Sequence, residues 1–178
     1  CGACCRQLVP IAEPEMRHLA AVLPTLAPAH RERVLGRFAQ GRELLREQGL
    51  YEDLLAPPSD SEAYTSLLAA YFALQLACPF LEDESCSVYE HRPAICREYN
   101  VTTPPKRCQR PFGERVAPAV PQNNLATVLS RSLRDERNRP AKVAPLTLLL
   151  DHLASAKAPS KRPAREWLAL LLPALLPE

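Results

Sequence analysis

The cysteines constrain this chain more than any other feature, because they are gathered rather than scattered. Cys1, Cys4 and Cys5 fall in the opening CGACC, and Cys78, Cys86, Cys96 and Cys108 fall in one later segment, across a cysteine-free gap of 72 residues. A fold that uses both groups must bring the N-terminus back against the middle of the chain. Thiolate sulfur is a soft donor, and thiolates assembled from distant segments select zinc, copper(I) or iron–sulfur clusters. Vicinal Cys4 and Cys5 cannot easily pair with each other, and their side chains diverge along an extended chain. At least one of them must therefore face something else.

Cross-links are not needed to stabilise a chain of 178 residues, since folding removes about 68 to 70% of the surface exposed by an unfolded chain of roughly this size. A disulfide framework needs an oxidising compartment and leaves one of the seven cysteines unpaired. Inert buried thiols suit a lone cysteine but do not account for three in the first five residues. Metal ligation explains the grouping best. The two-residue gap between Cys1 and Cys4 is common in zinc knuckles and cluster-binding loops, whereas the gaps of seven and nine residues separating Cys78, Cys86 and Cys96 lie outside zinc-finger spacing. Spacing thus indicates a metal without naming it.

Charge and motifs exclude other classes. With 22 basic against 20 acidic side chains, a net charge of +2 and a single tryptophan, the chain is not a polyanion binder. Basic stretches such as RSLRDERNRPAK are interleaved with acids and read as solvated helix faces, so no nucleic-acid partner is expected. No apolar run reaches the roughly 18 residues of a membrane span. No Gly-rich phosphate loop, G-x-S-x-G or H-E-x-x-H motif is present. The chain opens on Cys1 rather than methionine, and a preceding piece is expected.

Between the clusters the pattern is helical. PEMRHLAAVL opens with Pro14 and Glu15 in a first turn, presents Met16, Leu19, Ala20 and Leu23 on one face, and stops near Pro24. From Pro28 to about Leu55 one long or two short amphipathic helices are expected, interrupted at Gly41 and ended by Pro57 and Pro58. SDSEAYTSLLAAYFALQLA offers Ser59 or Ser61 as a cap and a face of Leu67, Leu68, Tyr71, Phe72 and Leu76, a buried helix delivering Cys78. CPFLEDESCSVYEHRP reads as a small hairpin or knuckle about an acidic turn, with Ser87 to Tyr89 extended, and Pro93 starts a short helical turn bearing Cys96. The proline-punctuated, basic stretch that follows, TTPPKRCQRPFGERVAPAVPQN, reads as loop.

Three more helices are expected, around NLATVLSRSLRDE (Leu125, Val128, Leu129 and Leu133 on one face), PLTLLLDHLASA and PAREWLALLLPALL. The linker AKAPSKRPA separates the last two. Leucines run nearly all round the final helix, so it is buried or packs on a partner. The fold class is mainly α: an irregular helical domain with a small Cys-rich hairpin closed by metal.

These residues also carry a resemblance. CGACC, then CPFL, a short acidic turn and CSVYEHRPAICREY resemble the bacterial YkgJ-type cysteine-cluster family, named for zinc or iron chelation. The match falls on Cys1, Cys4, Cys5, Cys78, Leu81, Cys86, Tyr89, Arg92, Pro93, Cys96 and Arg97. The first cysteine of the family's CxxCxxCC pattern would lie three positions before Cys1, and a helical insertion lengthens the interval from Cys5 to Cys78. The same arrangement is similar to part of the flagellin lysine methylases, which bind an iron–sulfur cluster.

The resemblance implies a cysteine-cluster metal-binding domain over residues 1–116, with a C-terminal helical extension over 117–178 packed on it. Its ligands would be Cys1, Cys4, Cys5, Cys78, Cys86 and Cys96, tying the N-terminus to the hairpin so that metal becomes part of folding. Arg92 and Arg97 would lie beside the thiolates, reduce their repulsion and lower their pKa values. An iron–sulfur cluster is the first expectation and zinc the second, because a closed zinc site needs only four ligands. Cys108 and His91 are open as ligands or bystanders, and His18, His30 and His152 read as surface or packing residues. Thiol ligation favours a reducing, cytoplasmic compartment. Two alternatives stand beside the metal-binding reading: a cluster- or metal-dependent enzyme acting on a protein substrate, for example by methyl transfer, and a zinc-stabilised module binding a protein partner through the C-terminal helices.

Overall fold

The computed structural model describes residues 2–119, 124–132, 143–156 and 164–175. Among these, helices dominate, as the periodicity implies, and strands form two short antiparallel pairs. Cys1, Leu133, the RSLRDERNRPAK stretch beyond Ser132 and residues 157–163 of the AKAPSKRPA linker lie outside the described residues.

The N-terminus departs from the extended path expected around the vicinal cysteines. Ala3–Arg6 form a 3-10 turn, closed by the Cys5 N–H donating to the Gly2 carbonyl at 3.0 Å. The chain then extends into strand β1 (Pro10–Ala12) and enters helix α1 (Glu13–Val22), whose first turn holds Glu13, Pro14 and Glu15 and whose inner face buries Met16, Leu19 and Val22. A 3-10 turn over Leu23–Thr25 ends this helix at Pro24, as expected.

Helix α2 (Pro28–Glu47) runs unbroken through Gly41, which corrects the expected interruption. A Cβ on Gly41 would stand 3.5 Å from the Leu76 side chain, so the glycine is a packing surface and not a break. The true stop is Gly49, at φ +69°. Its N–H donates to the Arg46 carbonyl at 3.0 Å and the Leu50 N–H to the Leu45 carbonyl at 2.9 Å, a left-handed helix end that favours glycine.

Helix α3 (Tyr51–Leu55) is one short turn, and α4 (Ser61–Ala73) follows. Its cap is Asp60 rather than either serine, with Oδ1 accepting from the Ala63 N–H at 2.8 Å. Of the apolar face expected on α4, Leu67 and Tyr71 are buried, while Leu68 and Phe72 are half-buried. The helix unwinds through Leu74 and Gln75 before Cys78.

The expected hairpin is present as β2 (Leu81–Glu82) and β3 (Ser85–Cys86), with Leu81 opposite Cys86 and Glu82 opposite Ser85. Asp83 and Glu84 turn the corner at φ +47° and +56°. Positive φ at both central residues matches the twist of the strands, although glycine or asparagine adopts it at lower cost. Tyr89–His91 coil into a 3-10 turn where an extended chain was expected, and helix α5 (Ala94–Glu98) carries Cys96. The basic stretch beyond it contains one further 3-10 turn, Pro105–Gln109.

Helix α6 (Leu125–Ser132) is capped from α5: the Glu98 carboxylate accepts from the N–H groups of Leu125 and Ala126 at 2.7 and 3.2 Å. The start of the expected PLTLLLDHLASA helix is different. Val143–Pro145 form strand β4, paired antiparallel with β1 so that Pro10 faces Pro145 and Ala12 faces Val143, and a 3-10 turn over Leu146–Leu148 precedes helix α7 (Leu149–Ser155). Both prolines sit on the terminal rung, where sheets tolerate a lost N–H donor. Helix α8 (Ala164–Leu175) packs against α6 and leaves Leu168 and Leu172 exposed.

The chain returns through its own core. Ile11, Met16, Leu19, Val34, Phe38, Phe80, Leu146 and Leu149 form one buried cluster; Leu45, Leu54, Leu67, Tyr71 and Leu148 form a second. Leu146 joins the first and Leu148 the second, from a segment about 60 residues beyond the hairpin. Among the described residues no helix is long and apolar enough to cross a membrane.

Candidate metal centre

Three segments converge beside the first core cluster. The N-terminal turn presents Cys4 and Cys5, and the Cys78 N–H donates to the Cys5 carbonyl at 2.7 Å. A clamp holds that turn on the hairpin: the Arg6 guanidinium meets the Glu84 carboxylate at 2.6 and 3.1 Å, and the Gly2 N–H donates to Glu84 Oε2 at 3.1 Å. The approach is close, since a Cβ on Gly2 would lie 2.6 Å from Glu84 Oε2 and 2.8 Å from Leu81 Cδ1, and those side-chain ends would have to move. The left-handed conformation of Glu84 therefore aims its carboxylate at the N-terminus.

Hairpin and helix deliver the remaining thiols. Ser87 donates from both N–H and Oγ to the Phe80 carbonyl, at 2.8 and 2.9 Å, and fixes the return strand that bears Cys86. Glu15 accepts from the Ala12 N–H at 3.2 Å and from the Ala94 N–H at 2.7 Å, so one carboxylate starts both α1 and α5 and positions Cys96.

Cys4, Cys5, Cys78, Cys86 and Cys96 line one cavity of about 350 Å³. Leu19, Phe80 and Leu146 form part of its apolar wall, and Tyr89, Arg92 and Tyr99 also line it. Tyr89 is 57% and Tyr99 37% exposed, so part of the lining lies at the surface. All described cysteines are free thiols. Among the described residues no three histidine, cysteine, aspartate or glutamate side chains stand close enough to hold one ion as placed.

The thiols are electrostatically distinct. A hydrogen bond from Cys5 holds the Cys4 thiol down to about 6 against the opposing effect of burial, and the donating Cys5 is pushed well above its ordinary value. Burial pushes Cys78 and Cys96 each up to about 12 and raises Cys86 as well. The charge of Arg92 works the other way, favouring the thiolates of Cys4 and Cys86.

The two expected arginines do different things. Arg92 lines the cavity, with its guanidinium 3.6 Å from the Tyr89 ring centroid and Nε donating to the Tyr89 carbonyl. Arg97 turns to the carbonyls of Arg92 and Glu90 instead and holds the loop that carries Arg92. His91 Nδ1 lies 3.2 Å from His18 Nε2 on the surface, and neither ring lines the cavity. His30 and His152 sit 3.6 and 3.9 Å from Glu82 and Glu13. Cys108 is buried in the turn that packs against Ala3–Arg6, outside the cavity lining.

Sequence reasoning did not single out Gln7 and Leu146 as lining residues, nor Glu84 as a clamp. The acidic turn was visible, but its partner lies 78 residues away, at Arg6. Leu146 gave no signal, because any leucine of a buried apolar segment reads alike. Residues 1–116 match a family model described as "CxxCxxCC: Putative zinc- or iron-chelating domain". No curated protein and no solved structure shows significant similarity to the chain.

Proposed function

Since this chain belongs to the CxxCxxCC family, we propose that it is a metalloprotein whose thiolates Cys4, Cys5, Cys78, Cys86 and Cys96, together with Cys1, hold an iron–sulfur cluster. The observation that carries this reading is the gathering of five thiols from three segments around one cavity of about 350 Å³. The donor set fits: five thiols, with Glu84 the carboxylate and no histidine among the described lining residues, and a cation at Arg92 to offset thiolate charge. A closed zinc site uses four ligands at about 2.3 Å for sulfur, and both the number of thiols and the room here exceed that need. Such a cluster would supply one-electron transfer or, with an open iron position, a Lewis acid. The chain's own residues would bind it and exclude water with the Leu19, Phe80 and Leu146 wall.

Group transfer to a protein substrate is the enzymatic form of the same reading. The test is metal and acid-labile sulfide analysis with an absorption spectrum, on protein purified without air. Iron, sulfide and a broad visible band are the expected result. Colourless protein with stoichiometric zinc would overturn the cluster in favour of zinc, and protein free of metal would overturn the site.

A further inference from the structure

Gln7 follows the cysteine turn directly, and its N–H donates to the Cys4 carbonyl at 3.2 Å, which sets its position beside the thiols. It lines the cavity, and its side-chain nitrogen Nε2 is buried with no hydrogen-bond partner. Other buried side-chain nitrogens in that condition, in His30 and Arg42, belong to residues facing a carboxylate, Glu82 and Asp151. Gln7 makes no such pairing, and Glu84, which lines the same cavity, is engaged by Arg6 and the Gly2 N–H. A buried donor left unmade is costly, and native structures place an acceptor there.

We infer that the Gln7 amide donates to the sulfurs of the bound metal group, making Gln7 a positioning residue that acts through the thiolates and tunes affinity. This rests on the thiolate reading proposed above. Thiolate and sulfide are acceptors, so the nitrogen end of the amide is the end that suits them. Hydrogen bonds to sulfur stabilise the charged ligand and raise the reduction potential of a cluster, and partners of this kind are worth about 10- to 100-fold in metal affinity.

The test uses the full chain stripped of metal, with zinc(II) alone as probe in anaerobic competition against a chelator. Gln7→Leu is expected to bind zinc at least about tenfold more weakly, while the metal-free protein melts at the same temperature or higher, because an unmade donor has been removed. Gln7→Glu should weaken binding further by adding negative charge among thiolates. In iron-loaded protein both variants should shift the reduction potential to more negative values. Zinc affinity equal to wild type in both variants, or equal destabilisation of metal-free and loaded forms, would overturn the role of Gln7. Unchanged zinc uptake in a Cys78→Ser, Cys96→Ser double variant would instead overturn the thiolate reading beneath it.

Discussion

The Cys78 amide donates to the Cys5 carbonyl at 2.7 Å, so the two cysteine groups meet backbone to backbone. This bond depends on neither thiol, and the Arg6–Glu84 clamp holds the same turn on the hairpin. The two segments are therefore joined by contacts that a metal need not supply, and ligation would add to that junction. A partly preformed site loses less chain entropy on binding than one assembled from an unfolded chain.

Cys86→Ser is expected to lower metal content and the melting temperature of the loaded protein together, while the metal-free protein is little changed. Serine keeps the shape of the hairpin but offers a hard oxygen in place of soft sulfur. Metal analysis and thermal melts with and without chelator check this, and unchanged values for both would remove Cys86 from the ligand set.

Gly2→Ala should disturb the clamp, since its new methyl would fall 2.6 Å from Glu84 Oε2 and 2.8 Å from Leu81 Cδ1. Both atoms are ends of flexible side chains, so the cost should lie at or below the roughly 1 kcal/mol lower end of core overpacking. Denaturant unfolding should show the loss, and a chelator should strip metal faster than from wild type. An unaltered stripping rate would mean that the N-terminal turn does not hold the metal.

Glu15 joins two helix starts, so Glu15→Ala leaves the Ala12 and Ala94 N–H groups without their acceptor. The expected cost is about 1–3 kcal/mol, with faster alkylation of Cys96 in metal-free protein as α5 loosens. Glu15→Gln retains one acceptor and should lose less. Equal stability of wild type and Glu15→Ala would show that the two bonds contribute nothing net.

The thiols set a pH dependence whose sign follows from burial. Cys78 and Cys96 rise from an ordinary 9.0 to about 12 when folded. A folded value above the unfolded one gives a contribution that is complete below about pH 9 and lost as pH rises through 12. Cys4 runs the other way: held at about 6, it contributes fully above pH 9 and loses that contribution as pH falls through 6. Urea melts of the metal-free protein should therefore weaken on the alkaline side of pH 9. At pH 7 the neutral Cys78 and Cys96 must give up protons to a metal. Zinc titration calorimetry in buffers of different ionisation heat should record proton release, and its absence would exclude both thiols as ligands.

Local chemistry was legible in the sequence. Spacings of three and four residues announced α1, α2, α4 and α6, Pro24 marked the end of α1, and the acidic turn announced the hairpin, because helical periodicity and turn conformation act over a few neighbouring residues. The grouped cysteines likewise announced a metal-binding chain. Tertiary packing alone decided how these pieces serve the site. Arg97 turned away from the thiols to satisfy two loop carbonyls, Gly41 became a contact for Leu76, and Leu146 entered the cavity wall through its N–H bond to the Val9 carbonyl at 2.8 Å. The reason is physical: a buried backbone group must find a partner, but which distant segment supplies it depends on how the whole core closes, and no local pattern carries that information.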